Sequence, residues 1–193
     1  MKWLLLLPAY LLGTFPSALM VARSKGIDIT QVGSGNPGAS NVARTISGRW
    51  GVTVFILDGL KGAIPAAVGL IAFDRHLAWA MAGAAMLGHV FPATRGFRGG
   101  KGVATMAGAS FVLQPIVSTV LFGVWYVVRK VTHTASLASL AIMVLLPVGA
   151  ALLGATAWEI IAIIAINLVV LYRHIDNIKR LISGSELAAN RQR

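Results

Sequence analysis

Residues 51–73 read GVTVFILDGLKGAIPAAVGLIAF, an oily run with only Asp58 and Lys61 charged inside it. A helix needs about 20 predominantly apolar residues to cross roughly 30 Å of hydrocarbon, and this stretch has the length. Further apolar runs stand at 3–22, 77–92, 116–128, 136–153 and 156–172. A half-length run, 103–113, is stopped by Gln114-Pro115. Seven segments cross if that run does; six cross if it is re-entrant. The first run follows Lys2 as a signal peptide would, but it continues to Ala22 without a small-x-small cleavage site and is read as a retained span. The expected fold is an all-α integral membrane protein with about seven transmembrane helices, one of them short.

Composition agrees. Hydrophobic residues make up 56% of the 193 and charged residues only 12%, about half the charge of an ordinary soluble domain. Seventeen Lys and Arg face six Asp and Glu, a net +11. These charges sit between apolar runs rather than along one polar face, which argues against nucleic acid and for the positive-inside bias of a membrane protein. Fourteen of the seventeen lie in 23–50, 93–102, 129–134 and 173–193. Seven crossings put all four segments on one side, the cytoplasmic one, with the N-terminus outside and the C-terminus inside. The chain is therefore read as a single polytopic domain, 1–193, with cytoplasmic loops 23–50 and 93–102 and a cytoplasmic tail 173–193. In bacteria that places it in the cell (inner) membrane. Cysteine is absent, which removes thiolate nucleophiles, disulfides and Cys-ligated metals.

Two glycine-rich, basic, acid-free loops stand out: GSGNPGASNVAR at 33–44 and GFRGGKG at 96–102. Small residues let successive backbone N–H groups face one concavity, and adjacent Arg or Lys adds positive charge, a combination that suits phosphate. The first loop fits G-x-G-x-x-G but lacks the strand and βαβ unit a dinucleotide site needs. Its candidates are Ser34, Asn36, Asn41 and Arg44, with Ser40 or Asn41 expected to cap a helix running through Arg44. The second loop is not a Walker A motif, because Arg95 and Gly102 occupy the positions of its first Gly and its Ser/Thr. Its candidates are Gly99, Gly100, Lys101 and Gly102, with Lys101 just ahead of an apolar helix. Arg95 and Arg98 read equally well as positive-inside anchors.

Asp58 and Lys61 are i and i+3 on one helix and so neighbours. Intramembrane charges suggest function, though a structural ion pair serves as well. His89 lies in GHVFP. Near the end, YRHIDNIKRLISGSE (172–186) puts His174, Asn177 and Arg180 on one helical face, with Glu186 beyond. Ser136 and Ser139 in SLASL either bind substrate or hydrogen-bond within their own helix. No G-x-S-x-G elbow and no H-E-x-x-H occurs, and six scattered acids do not suit a two-metal site. No metal or other cofactor is expected.

On GSGNPGASNVAR, LDGLKGAIP, GHVFPATRGFRGGKGVAT, SLASL and RHIDNIKRLISGSE, the chain resembles the bacterial acyl-phosphate:glycerol-3-phosphate acyltransferases, the PlsY-type membrane family. The resemblance covers nearly its whole length. It implies transfer of a fatty acyl group from acyl phosphate to the 1-hydroxyl of glycerol 3-phosphate, giving lysophosphatidic acid and phosphate, without a covalent acyl-enzyme. It also implies catalytic roles for Ser34, Lys101, His174 and Asn177, and substrate contacts for Asn36, Asn41, Arg44, Gly99, Gly100, Gly102, Ser139 and Glu186. His174 is one candidate base, and the leaving phosphate is the other. An anion or lipid-phosphate transporter, with the basic loops as a funnel, is the alternative class, although the two halves show no repeat.

Overall fold

The computed structural model describes residues 1–186, and among these all regular structure is helical. The α-helices are α1 Leu6–Gly13, α2 Ser17–Arg23, α3 Ala39–Thr45, α4 Gly48–Ala72, α5 Arg75–Val90, α6 Val103–Leu113, α7 Pro115–Thr132, α8 Ala135–Leu152, α9 Ala157–Tyr172 and α10 Ile175–Ile182. All seven apolar runs of the sequence are helical. By length and apolarity, Lys2–Arg23, Gly48–Ala72, Arg75–Arg95 and Ala135–Leu152 each suffice to cross a bilayer, and α9 with α10, bent by 61°, passes jointly. The described residues form two compact units divided between Leu113 and Gln114.

In the first unit, α4 is amphipathic in reverse. Val52, Ile56, Leu60, Ile64, Val68 and Ile71 point outward, 43–84% exposed. Gly51, Asp58, Lys61, Gly62, Ala66 and Gly69 point inward. Large apolar groups outside and small or polar groups inside are what lipid as a solvent selects, because helices in lipid gain by close backbone approach rather than by hiding oil. The glycines mark those approaches. A Cβ on Gly62 would stand 1.9 Å from the Thr105 carbonyl oxygen, and one on Gly108 would stand 2.0 Å from that of Gly59. The α1–α5 seam is built alike: a Cβ on Gly13 would lie 2.0 Å from the Ala85 oxygen, and one on Gly88 2.0 Å from the Tyr10 oxygen. Bulk is excluded at each.

Local chemistry sets the ends. Ser47 caps α4 by accepting from the Trp50 N–H at 3.4 Å, and Asp74 caps α5 by accepting from Leu77 at 2.9 Å. The first span breaks at Thr14–Pro16, where α1 ends and Pro16 precedes α2. The eleven-residue α6 returns along α5: Arg75, the first residue of α5, donates from Nη2 to the carbonyl of Leu113, the last of α6, at 3.0 Å.

In the second unit, Pro115 opens α7 where its missing N–H costs nothing. Trp125 Nε1 donates to Ser139 Oγ at 3.3 Å, tying α7 to α8, and Asn167 Nδ2 donates to the Met143 carbonyl at 2.7 Å, tying α9 to α8. Glu159, an acid inside an apolar run, is spent on a capping box with Thr156 at the start of α9.

Candidate active site

The first loop is tied from beneath. Gly33 and Gly35 adopt φ of +62° and +67°, a left-handed geometry that costs other residues energy. Asn41, only 2% exposed, accepts the Ser34 N–H on Oδ1 at 3.0 Å. Its Nδ2 donates to the carbonyls of Ile29 at 3.1 Å and Val32 at 3.0 Å. One amide therefore fixes three points of the turn, and a Cβ on Gly33 would sit 2.2 Å from that Oδ1. Ser34 is exposed, and its hydroxyl accepts from the Asn36 N–H at 3.4 Å. The cap expected from Ser40 or Asn41 is not made. Gly38 is the N-cap, no side chain bonds the first turn, and the Asn41 amide turns back into the loop, where three partners outbid one. Arg44, half-buried, lies in the last turn of the seven-residue α3, away from its N-terminal amides.

The second loop rests on the end of α5. Gly100 N–H donates to the His89 carbonyl at 3.1 Å. A Cβ on Gly99 would fall 2.0 Å from that same oxygen, and one on Gly100 2.2 Å from His89 Nε2. Gly102, at φ +87°, leads into α6, whose Met106 N–H bonds the Gly102 carbonyl at 2.8 Å. Lys101, half-buried, stands two residues ahead of α6. The double glycine is thus required by contact with His89, a reason the spacing alone does not disclose.

Under this loop lies a buried polar cluster within the span. Lys61 Nζ donates to Asp58 Oδ1 at 2.6 Å and to Ser17 Oγ at 2.9 Å, and it stands 3.5 Å from His89 Nδ1. Ser17 donates to the same Asp58 oxygen. All four residues are 6% exposed or less. A cleft beside them is lined by Phe15, Pro37, Lys61, Arg95 and Gly100. Arg95 donates from Nη2 to the Thr14 carbonyl at 3.0 Å.

The second unit gathers the C-terminal candidates. Glu186 Oε1 accepts from Asn177 Nδ2 at 2.6 Å and from Ser136 Oγ at 2.9 Å, and Oε2 accepts from Arg180 Nε at 2.8 Å. Burial pushes the Glu186 carboxyl up, but the hydrogen bonds from Asn177, Ser136 and Arg180, with the Arg180 charge, hold it below its ordinary value. His174, 2% exposed at the bend before α10, has Nδ1 at 2.8 Å from the Val170 carbonyl, which places a proton on Nδ1. Ser139 donates to the Ala135 carbonyl within its own helix at 2.9 Å. Ser136, rather than Ser139, is the serine that reaches the Glu186 cluster. No group of three metal-ligating side chains occurs among the described residues.

Known proteins share this architecture. A family model described as glycerol-3-phosphate acyltransferase matches residues 3–184. The chain is 39% identical over 180 residues to the glycerol-3-phosphate acyltransferase of Aquifex aeolicus, covering 92% of this chain and 94% of that one. It is 41% identical over 187 residues to that of Thioalkalivibrio sulfidiphilus, covering 94% and 91%. The crystal structure of PlsY, an integral membrane glycerol 3-phosphate acyltransferase, in its glycerol 3-phosphate form superposes with a TM-score of 0.93 at 38% identity, covering 97% of this chain and 94% of that one. The lysophosphatidic acid form gives 0.91 at 37% identity, with the same coverage.

Proposed function

The chain belongs to the glycerol-3-phosphate acyltransferase family and is a membrane acyltransferase, and on that premise we propose that it moves a fatty acyl group from acyl phosphate to the 1-hydroxyl of glycerol 3-phosphate. The products are lysophosphatidic acid and phosphate. The polypeptide crosses the bacterial inner membrane seven times, with loops 23–50 and 93–102 and the tail from 173 in the cytoplasm.

An acyl phosphate is a mixed anhydride, already activated, so no protein nucleophile is needed. The glycerol oxygen attacks the acyl carbon, an oxyanion forms, and the carbon–oxygen bond to phosphate breaks. The observation that carries this reading is the pair of rigid glycine loops, one tied down by Asn41 and one seated on His89, each accompanied by a cation, Arg44 or Lys101. Two phosphate-bearing reactants call for two such holders. Asn36 and Ser34 orient substrate at the first loop, and the Gly99, Gly100 and Gly102 backbone does so at the second. Asn177, oriented by Glu186, serves the attacking hydroxyl or the oxyanion. The hydroxyl proton goes to His174 Nε2 or to the departing phosphate. Positioning of this kind supplies about 7–11 kcal/mol and one oxyanion donor about 2.7–4 kcal/mol.

The test offers acyl phosphate, acyl-CoA and acyl-carrier protein separately to purified protein with glycerol 3-phosphate. Lysophosphatidic acid should form from acyl phosphate alone. Phosphate flux across liposomes without product would favour a transporter and end the enzyme reading. His174→Gln with most of kcat retained would leave the phosphate as base.

A further inference from the structure

The Ser17–Asp58–Lys61–His89 cluster has no part in the chemistry above. Removing one charge from such a pair strands the other, but replacing both by neutral groups is often harmless to a fold. Stability alone therefore gives no reason to keep an ion pair inside a span, where each charge by itself is costly to insert. Geometry supplies one. An ammonium only donates. Two of the Lys61 bonds go to Asp58 and Ser17, and His89 Nδ1 stands between the Lys61 Nζ, at 3.5 Å, and Asp58 Oδ1, at 3.7 Å. That fixes the ring's rotation and turns its Nε2 edge to Gly100, where a Cβ would stand 2.2 Å away. The His89 carbonyl simultaneously receives the Gly100 N–H at 3.1 Å. Three helices meet in this cluster: α2 through Ser17, α4 through Asp58 and Lys61, and α5 through His89.

We propose that Lys61 is a positioning residue for the second loop: with Asp58 and Ser17 it locks the His89 ring, and the locked ring is the platform on which Gly100 sets the height of Lys101. The kinetic consequence rests on the reading that this loop holds a substrate phosphate; the mechanical claim does not. The natural absence of cysteine makes a site-specific reporter simple. Arg98→Cys, exposed and next to Gly99, carries a nitroxide, and every variant is compared within that background in nanodiscs.

The double variant Asp58→Asn/Lys61→Met removes both charges without stranding either. The expected result is a new mobile component in the spectrum, a melting temperature close to the parent's, and a glycerol 3-phosphate KM raised about tenfold, the scale of one misplaced charge-assisted hydrogen bond. A mobile loop with unchanged kinetics upholds the positioning role and removes the second loop from phosphate binding. An immobile loop overturns the proposal whatever the kinetics do. Should the double variant fail to fold, His89→Asn, which deletes the platform and leaves the ion pair, is read by the same spectrum and the same criteria.

Discussion

Gly99→Ala places a methyl group 2.0 Å from the His89 carbonyl oxygen and 2.6 Å from that of Val90. Both obstacles are backbone at the end of a packed helix and cannot rotate away. A contact of this type requires more than 3.0 Å, so the loop must rise by about 1 Å, carrying Lys101 with it. Misplacement by about 1 Å costs on the order of 100-fold in rate when a reaction depends on positioning. The expected outcome is a kcat/KM lowered about 100-fold in a detergent-purified enzyme assay that follows lysophosphatidic acid. The perturbation sits in a loop, so the thermal unfolding midpoint should move little. Gly123→Ala, in α7 with open space around it, is the matching control and should keep parental kinetics. Parental kcat/KM in a folded Gly99→Ala enzyme would refute the seat on His89 as a determinant of activity.

Three further outcomes follow from the same geometry. Asn41→Ala, which strands the Ser34 N–H and the Ile29 and Val32 carbonyls, should cost about 3 kcal/mol and open the 24–38 loop to limited proteolysis. Asn41→Asp keeps only the acceptor and should be cut nearly as fast. Glu186 titrates below its ordinary value of 4.5 in the folded protein, so its contribution to stability is complete above about pH 4.5 and is lost as pH falls through the folded value. Thermal unfolding of the parent should show that acid loss and Glu186→Gln should not. Gly62→Ala drives a methyl to 1.9 Å from the Thr105 oxygen and should destabilise the α4–α6 packing by about 1–3 kcal/mol in thermal unfolding.

The apolar helices were legible because a run of apolar residues needs no partner to be recognised, and the short α6 carries the same boundaries in sequence and structure, 103–113. The Asp58–Lys61 pairing was legible from helical spacing alone, and so was the shared face of Asn177 and Arg180. Contacts between distant segments were not. Ser17 reaches Asp58 across 41 positions, Ser136 reaches Glu186 across 50, and Arg75 reaches Leu113 across 38. No local periodicity encodes those distances. Asn41 misled for another reason: an Asn after a glycine turn reads as a helix cap, and only the folded loop shows three backbone partners waiting for its amide. The double glycine likewise reads as a cradle for an anion, while the molecule also uses it to clear His89.

The glycine contacts have a bearing on how a donor's hydrocarbon tail gets in. Where backbone touches backbone, at Gly59, Gly62 and Gly108 between α4 and α6, and at Gly13 and Gly88 between α1 and α5, no slot is left as wide as a methylene chain. At those points the paired helices leave lipid no gap. Bulky replacements there would push the paired helices apart rather than find room.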